Sequence, residues 1–217
     1  MIALMGLAAV GQAVSQELPR RPFLGIAMVN LPDTVPPNHG VLIEEVFPNS
    51  TAEAAKWKVG DVLTQMDGNR IAHIDDVVAR LRSMEGGRSF TYTLVRNGKP
   101  VKGSTKLKIR PKESYPGISM EYGSFSSAIG QQRMIIGRPA GSGAAKLPVV
   151  VFIGGIGCYS LDLANDTTRG EVQLLNLLAR NGYMTVRAEK PGVGDGATTS
   201  KACKETSLHE EMESYVQ

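Results

Sequence analysis

The chain has 217 residues, 42% apolar and 21% charged, enough for one large domain or two small ones with real cores. Its net charge of +3 is small and its Lys and Arg residues are interspersed with acids, which excludes an electrostatic case for nucleic acid or an anionic membrane. Two cysteines, Cys158 and Cys203, and three isolated histidines, His39, His73 and His209, form no metal-type cluster, so neither a metal nor a cofactor is expected.

Residues 1–14 carry almost no polar side chain, and Ala13-Val14-Ser15 offers the small residues a signal peptidase reads. The run is shorter than the ~20 apolar residues that span a bilayer. Residues 1–15 therefore read as a secretory signal, which implies export to the periplasm or beyond. No Lys or Arg precedes the run, and a buried N-terminal helix is the other reading. No later stretch is apolar enough to cross a membrane, so no integral span is expected in the mature chain.

A proline-rich entry, Pro19-Arg20-Arg21-Pro22, leads to a predicted strand at 23–29, a polar loop at 31–39 and a strand at 41–46. Phe47-Pro48-Asn49-Ser50 is a turn, and Ser50 or Thr51 caps a short helix over 52–56. Trp57 reads as a surface-packed residue beside that helix. Val59-Gly60-Asp61 opens a strand at 62–66, and Asp67-Gly68 is a strong hairpin signal. Ile74, Val77, Val78 and Leu81 recur at helical spacing, predicting an amphipathic helix over 73–84, stopped by Gly86-Gly87. Strands at 90–96 and 101–110, joined by Asn97-Gly98, close a unit near Arg110. Residues 111–117 read as a linker.

The second half changes character. Residues 118–125 and 132–139 predict a β-hairpin with Gly130 in its turn. The apolar run at 149–153 reads as a strand buried on both faces. A glycine-rich turn follows, then a helix over 170–180 with Val172, Leu175 and Leu178 on one side, and a second buried strand at 184–188. This β-α-β pattern implies parallel strands with a right-handed crossover. A further glycine-rich turn fills 191–196, and 206–216 begins another helix.

The order of the first unit and five spaced motifs carry a resemblance: Phe23-Leu24-Gly25-Ile26, Gly40-Val41 onward, Asn49-Ser50-Thr51-Ala52-Glu53-Ala54-Ala55, Val59-Gly60-Asp61-Val62-Leu63 and Asp67-Gly68. Residues 21–110 resemble the PDZ domain in its bacterial form. The resemblance implies a partly open α+β barrel with two helices, binding the C-terminal or extended peptide segments of proteins as an added strand. It makes Phe23, Leu24, Gly25 and Ile26 the carboxylate-binding loop. Ile26 and Met28 would line the pocket for the last side chain, and Ile74, Val78 and Leu81 form the helical wall. Ile74 stands where a Ser/Thr-selecting domain carries His, so an apolar preference two residues from the peptide's end is expected. Val77 and Leu63 are expected in the core.

Residues 118–217 resemble the N-terminal part of an α/β-hydrolase domain, a partial α/β sheet that makes the fold class mixed. The run from Val149 through Gly154-Gly155-Ile156-Gly157 is similar to that superfamily's third strand and oxyanion turn, so the resemblance implies Gly155, Ile156 and Gly157 as oxyanion-turn candidates. Glu189-Lys190-Pro191-Gly192-Val193-Gly194-Asp195-Gly196 is similar to the turn after its fourth strand. No Gly-x-Ser-x-Gly elbow is present, Ser160 is off-motif, and His209 precedes any nucleophile, so no catalytic residue is assigned and no hydrolysis is expected of this chain alone. The chain reads as a fragment or truncated product of a longer PDZ–hydrolase; alternatively it is part of an active secreted esterase or peptidase whose triad lies past residue 217. Cys158 and Cys203 each follow one glycine turn, which leaves either a disulfide or two buried thiols.

Overall fold

The computed structural model describes residues 17–32, 34–37, 39–164 and 168–216. The leader expected over residues 1–15 lies outside them. Among the described residues no helix is long and apolar enough to cross a membrane.

The first unit begins with β1 (Pro22–Phe23), breaks at Leu24 and Gly25, and resumes as β2 (Ile26–Asn30). The single strand predicted over 23–29 is thus two, because Gly25 takes a φ of +72° that ends the first pairing. Then come β3 (Val41–Val46), α1 (Thr51–Ala54), β4 (Val62–Met66), β5 (Asn69–Arg70), α2 (Ile74–Arg82), β6 (Ser89–Arg96), β7 (Lys99–Lys106) and β8 (Lys108–Ile109). The antiparallel sheet runs β2-β3-β4-β6-β7, with β5 beside β4 and β1 paired to β8. Both hairpin turns take paired left-handed conformations, φ +48° and +73° at Asp67-Gly68 and +50° and +73° at Asn97-Gly98, which match the twist of the flanking strands. The core gathers Val41, Ile43, Leu63, Met66, Val77 and Leu94 between sheet and helices. Trp57 belongs to this core rather than to the surface: it is 4% exposed and meets Tyr92 edge-on at 5.0 Å. Lys56, at φ +57°, reverses the chain after α1 and turns the indole inward.

The second unit contains β9 (Ile118–Ser127), β10 (Gly130–Pro139), β11 (Val149–Phe152), α3 (Gly170–Arg180), β12 (Met184–Ala188) and α4 (Leu208–Ser214). Its sheet order is β11-β12-β10-β9, parallel between β11 and β12 and antiparallel elsewhere. The expectation that residues 149–153 are buried on both faces fails, since Val149 is 51% and Val151 59% exposed. β11 is an edge strand, and α3 packs on β9, β10 and β12 across one face only.

Residues 111–117 are not a solvated tether. Glu113 and Tyr115 are buried, and the Glu113 carboxylate accepts from Arg187 at 2.7 and 2.8 Å, from the Tyr115 hydroxyl at 2.9 Å and from the Leu163 N–H at 2.7 Å. A second buried cluster joins the entry segment to the second unit. Asp195 accepts from Arg133 at 2.8 and 3.0 Å, from Arg20 at 2.5 Å and from the Arg21 N–H at 2.9 Å, and Arg20 also reaches Asp162 at 2.6 Å. Charges withdrawn from water this completely persist only when paired and hydrogen-bonded. Asp195→Ala leaves Arg133 buried without its partner and is expected to cost about 3 kcal/mol or more, read as a lower urea midpoint at unchanged slope.

Candidate functional site

The loop between β1 and β2 is built by three successive peptide groups whose carbonyls are claimed by the interior. The Phe23 carbonyl accepts from the Thr51 hydroxyl at 2.6 Å, the Leu24 carbonyl from the Ala52 N–H at 3.0 Å, and the Gly25 carbonyl from the Phe47 N–H at 3.0 Å. In a planar trans peptide the N–H lies opposite its carbonyl. The N–H groups of Leu24, Gly25 and Ile26 are therefore all turned away from α1 and β3. Among the described residues, those of Leu24 and Gly25 have no acceptor. Successive outward N–H groups form an anion-binding nest.

Glycine is required at the middle of this loop. A Cβ on Gly25 would lie 2.1 Å from the Ser50 Cβ, and Ser50 is the fully buried N-cap of α1, accepting from the Glu53 N–H at 3.0 Å. Thr51 also accepts from the Lys108 N–H at 2.9 Å, so one hydroxyl fixes the loop, α1 and β8 together. The sequence offered Thr51 as a cap candidate within a motif; the cap is Ser50, and the bridge Thr51 makes depends on β8, 57 residues away.

β2 is the edge strand of its sheet, and its ladder to β3 is fixed in phase by the Phe47-to-Gly25 bond at one end and the Leu31-to-Gly40 bond at the other. By alternation, Ile26 and Met28 point their backbone groups at the gap between β2 and α2. The start of α2 is tied down by the Asn30 side chain, which accepts from the Ile74 N–H at 2.8 Å. Asp76 accepts from the Ala72 and His73 N–H groups at 2.8 and 3.0 Å, and these bonds lower its pKa.

Ile26, Met28, Ile74 and Leu81 are half-buried against the core. A cleft of about 300 Å³ opens at the loop, lined by Phe23, Leu24, Gly25, Ile26, Met28 and Leu81. Val78 stands apart from it, lining a second cleft of about 570 Å³ between the outer face of α2 and the second unit's loops at 192–205. The geometry is that of an open strand edge and a helix flanking an apolar trough, with a nest of amides at its end. The PDZ domain family matches residues 22–107.

Residues 22–107 are a PDZ domain.

Similar curated proteins include bacterial periplasmic serine proteases. The "Probable periplasmic serine protease do/HhoA-like" of Haemophilus influenzae is 32% identical over 75 residues, 35% of this chain and 16% of that protein. The periplasmic serine endoprotease DegP of Escherichia coli is 35% identical over 69 residues, 32% of this chain and 15% of its own length. The chain thus spans about a sixth of the length of these relatives. Among solved structures, the HtrA3 PDZ domain bound to a phage-derived ligand (FGRWV) is 18% identical, covering 42% of this chain and 88% of that one at a TM-score of 0.37.

In the second unit, Gly155, Ile156 and Gly157 form an exposed turn after β11, with the Ile156 side chain 89% exposed. Cys158 and Cys203 are joined as a disulfide, Cα–Cα 5.8 Å, which ties this turn to the loop before α4. The Ser160 hydroxyl donates to Glu189, while His209 pairs with Glu213 at 3.2 Å on the exposed side of α4, so Ser160 and His209 serve separate partners. Among the described residues no group of side chains could hold a metal ion. Burial raises the pKa of Glu189, with nearby Asp162 acting in the same direction and the Ser160 bond opposing them.

Gly25→Ala is expected to lower stability by about 2 kcal/mol or more through the enforced clash and positive φ, measured by urea unfolding. For Glu189 the folded state holds a proton that the unfolded chain releases above its ordinary pKa of 4.5, so its contribution to stability is lost as pH rises past that value. Glu189→Gln should flatten that part of the decline, bringing urea midpoints at pH 5 and pH 8 closer together than in the wild type.

Proposed function

We propose that the PDZ domain binds the free C-terminus of a partner polypeptide, laid antiparallel to β2 in the trough beside α2. The observation that carries this reading is the run of three N–H groups, at Leu24, Gly25 and Ile26, held outward by three anchored carbonyls. Ile26, Met28 and Leu81 favour an apolar final side chain. Ile74, at the first turn of α2, favours an apolar residue two positions earlier, because His73 stands one residue off at the N-cap position.

We read the second unit as the opening portion of an α/β-hydrolase sheet. Its antiparallel hairpin, with the later strand β12 inserted between β10 and the parallel edge strand β11, supports that reading, as does the glycine turn after β11. It supplies scaffold in this chain, where no nucleophile elbow is encoded. The Cys158–Cys203 disulfide and the periplasmic relatives support an exported location, since such bonds persist in oxidising compartments.

Calorimetric titration of the chain with a hexapeptide ending Ile-Tyr-Val tests the groove. The free acid should bind at least tenfold more tightly than the amide, and equal affinity would remove the carboxylate assignment. Ile74→His should shift preference by about tenfold towards a peptide ending Thr-Tyr-Val, a hydrogen-bond discrimination on the order of 1 kcal/mol.

A further inference from the structure

A strand added to an open edge must either stop at the end of its groove or find a way out. Laid antiparallel to β2, a bound segment runs from the start of α2 towards the loop at Leu24 and Gly25. A segment that ends there needs only the amide nest. An internal stretch of a longer chain must continue past it. The space beyond the loop is walled: opposite Phe23, Leu24 and Gly25, the cleft is lined by Arg110, Ser160, Asp162 and Leu163.

This wall is pinned along its length. The Leu163 N–H donates to Glu113 at 2.7 Å, the Leu161 carbonyl accepts from Arg187 at 2.8 Å, and Asp162 pairs with Arg20 at 2.6 Å. The Ser160 hydroxyl donates to Glu189 and accepts from the Asp162 N–H at 3.1 Å. Glu113, Arg187 and Glu189 are themselves buried. The Arg110 side chain spans the gap between this segment and the loop. It lies over the Phe23 ring at 5.8 Å and donates to the Ser160 hydroxyl at 3.3 Å. Side-chain contacts therefore run from Phe23 of the loop to the buried pairs of the second unit.

We propose that residues 160–163, with Arg110 bridging to them, close the groove beyond the nest, so that it takes segments ending at the loop and rejects segments that continue past it. This rests on the groove reading above and narrows its partners to free chain termini, with internal stretches and hairpins excluded. Exclusion by a packed wall acts through shape, so it operates whether or not the ligand carries a terminal charge. The second unit thereby helps to select which polypeptides the PDZ domain accepts.

The test compares two uncharged ligands of the whole chain by calorimetry. One is the Ile-Tyr-Val hexapeptide amide; the other is the same peptide lengthened by Gly-Gly before its amide. Neither has a terminal carboxylate, so a difference between them reports the space past the last side chain. The lengthened amide should bind the wild type at least fivefold more weakly. Arg110→Ala opens the gap and should shrink that difference at least threefold, whereas Arg110→Met keeps the bulk without the charge and should preserve it. In methyl NMR spectra of the wild type, the Leu163 resonances should shift when the free-acid hexapeptide binds. A smaller difference in the wild type, a folded variant that departs from these outcomes, or Leu163 methyls unmoved at saturation overturns the proposal and leaves the groove assignment intact. Should Arg110→Ala fail to fold, the wild-type comparison and the methyl spectra decide. A wild type that binds neither the free acid nor the amide overturns the groove reading, and this proposal with it.

Discussion

A peptide group cannot turn its carbonyl and its N–H to the same side, and the proposed anion site rests on that constraint. Thr51, Ala52 and Phe47 hold three consecutive carbonyls inward, so three N–H groups stand at the end of the trough before any ligand arrives. The preorganisation depends on close packing: Gly25 is pressed against the cap of α1, and Thr51 bridges α1 to β8. The short helix and the closing strand thus serve the loop as much as they serve the core.

Buried charge ties the entry segment and residues 111–117 to the second unit. Arg133, Asp195, Arg187 and Glu113 are all essentially excluded from solvent, and each is satisfied by a partner from a distant part of the chain. Ion pairs of this kind add little net stability against apolar substitutes, but they are costly to break one partner at a time. Their directional bonds permit few alternative dockings. The entry segment with Arg20 and Arg21, the stretch through Glu113 and the turn carrying Asp195 are consequently locked together beside the groove.

Two of the edge strands, β2 and β11, differ in kind. β2 is flanked by α2 and by the amide nest, so its unpaired backbone groups face a trough shaped for an added strand. β11 has no such flank. Val149 and Val151 are exposed on the sheet face that α3 leaves bare, in register with Val186 and Ile136. An uncharged edge of this composition is an association hazard in isolation.

Much of the first unit was legible in the sequence because its signals are local. Asp67-Gly68 and Asn97-Gly98 dictate their turns, and the spacing of Ile74, Val77 and Leu81 dictates an amphipathic helix. The strands at Val41–Val46, Val62–Met66 and Met184–Ala188 and the helix at Gly170–Arg180 likewise declare themselves through periodicity and flanking glycines. The loop's motif named the residues of the nest. What the sequence could not convey was set by partners far along the chain. Trp57 looked superficial because nothing nearby shows the reversal at Lys56 that seats it on Tyr92. Residues 111–117 looked like a tether because Glu113 finds Arg187 only after folding. Residues 149–153 looked doubly buried because composition does not reveal a missing neighbour strand. Local propensity and spacing thus determined which elements form. The tertiary structure alone decided which side chains share a cleft, since burial, ion pairing and the meeting of Arg110 and Ser160 with the loop depend on contacts that no window of sequence contains.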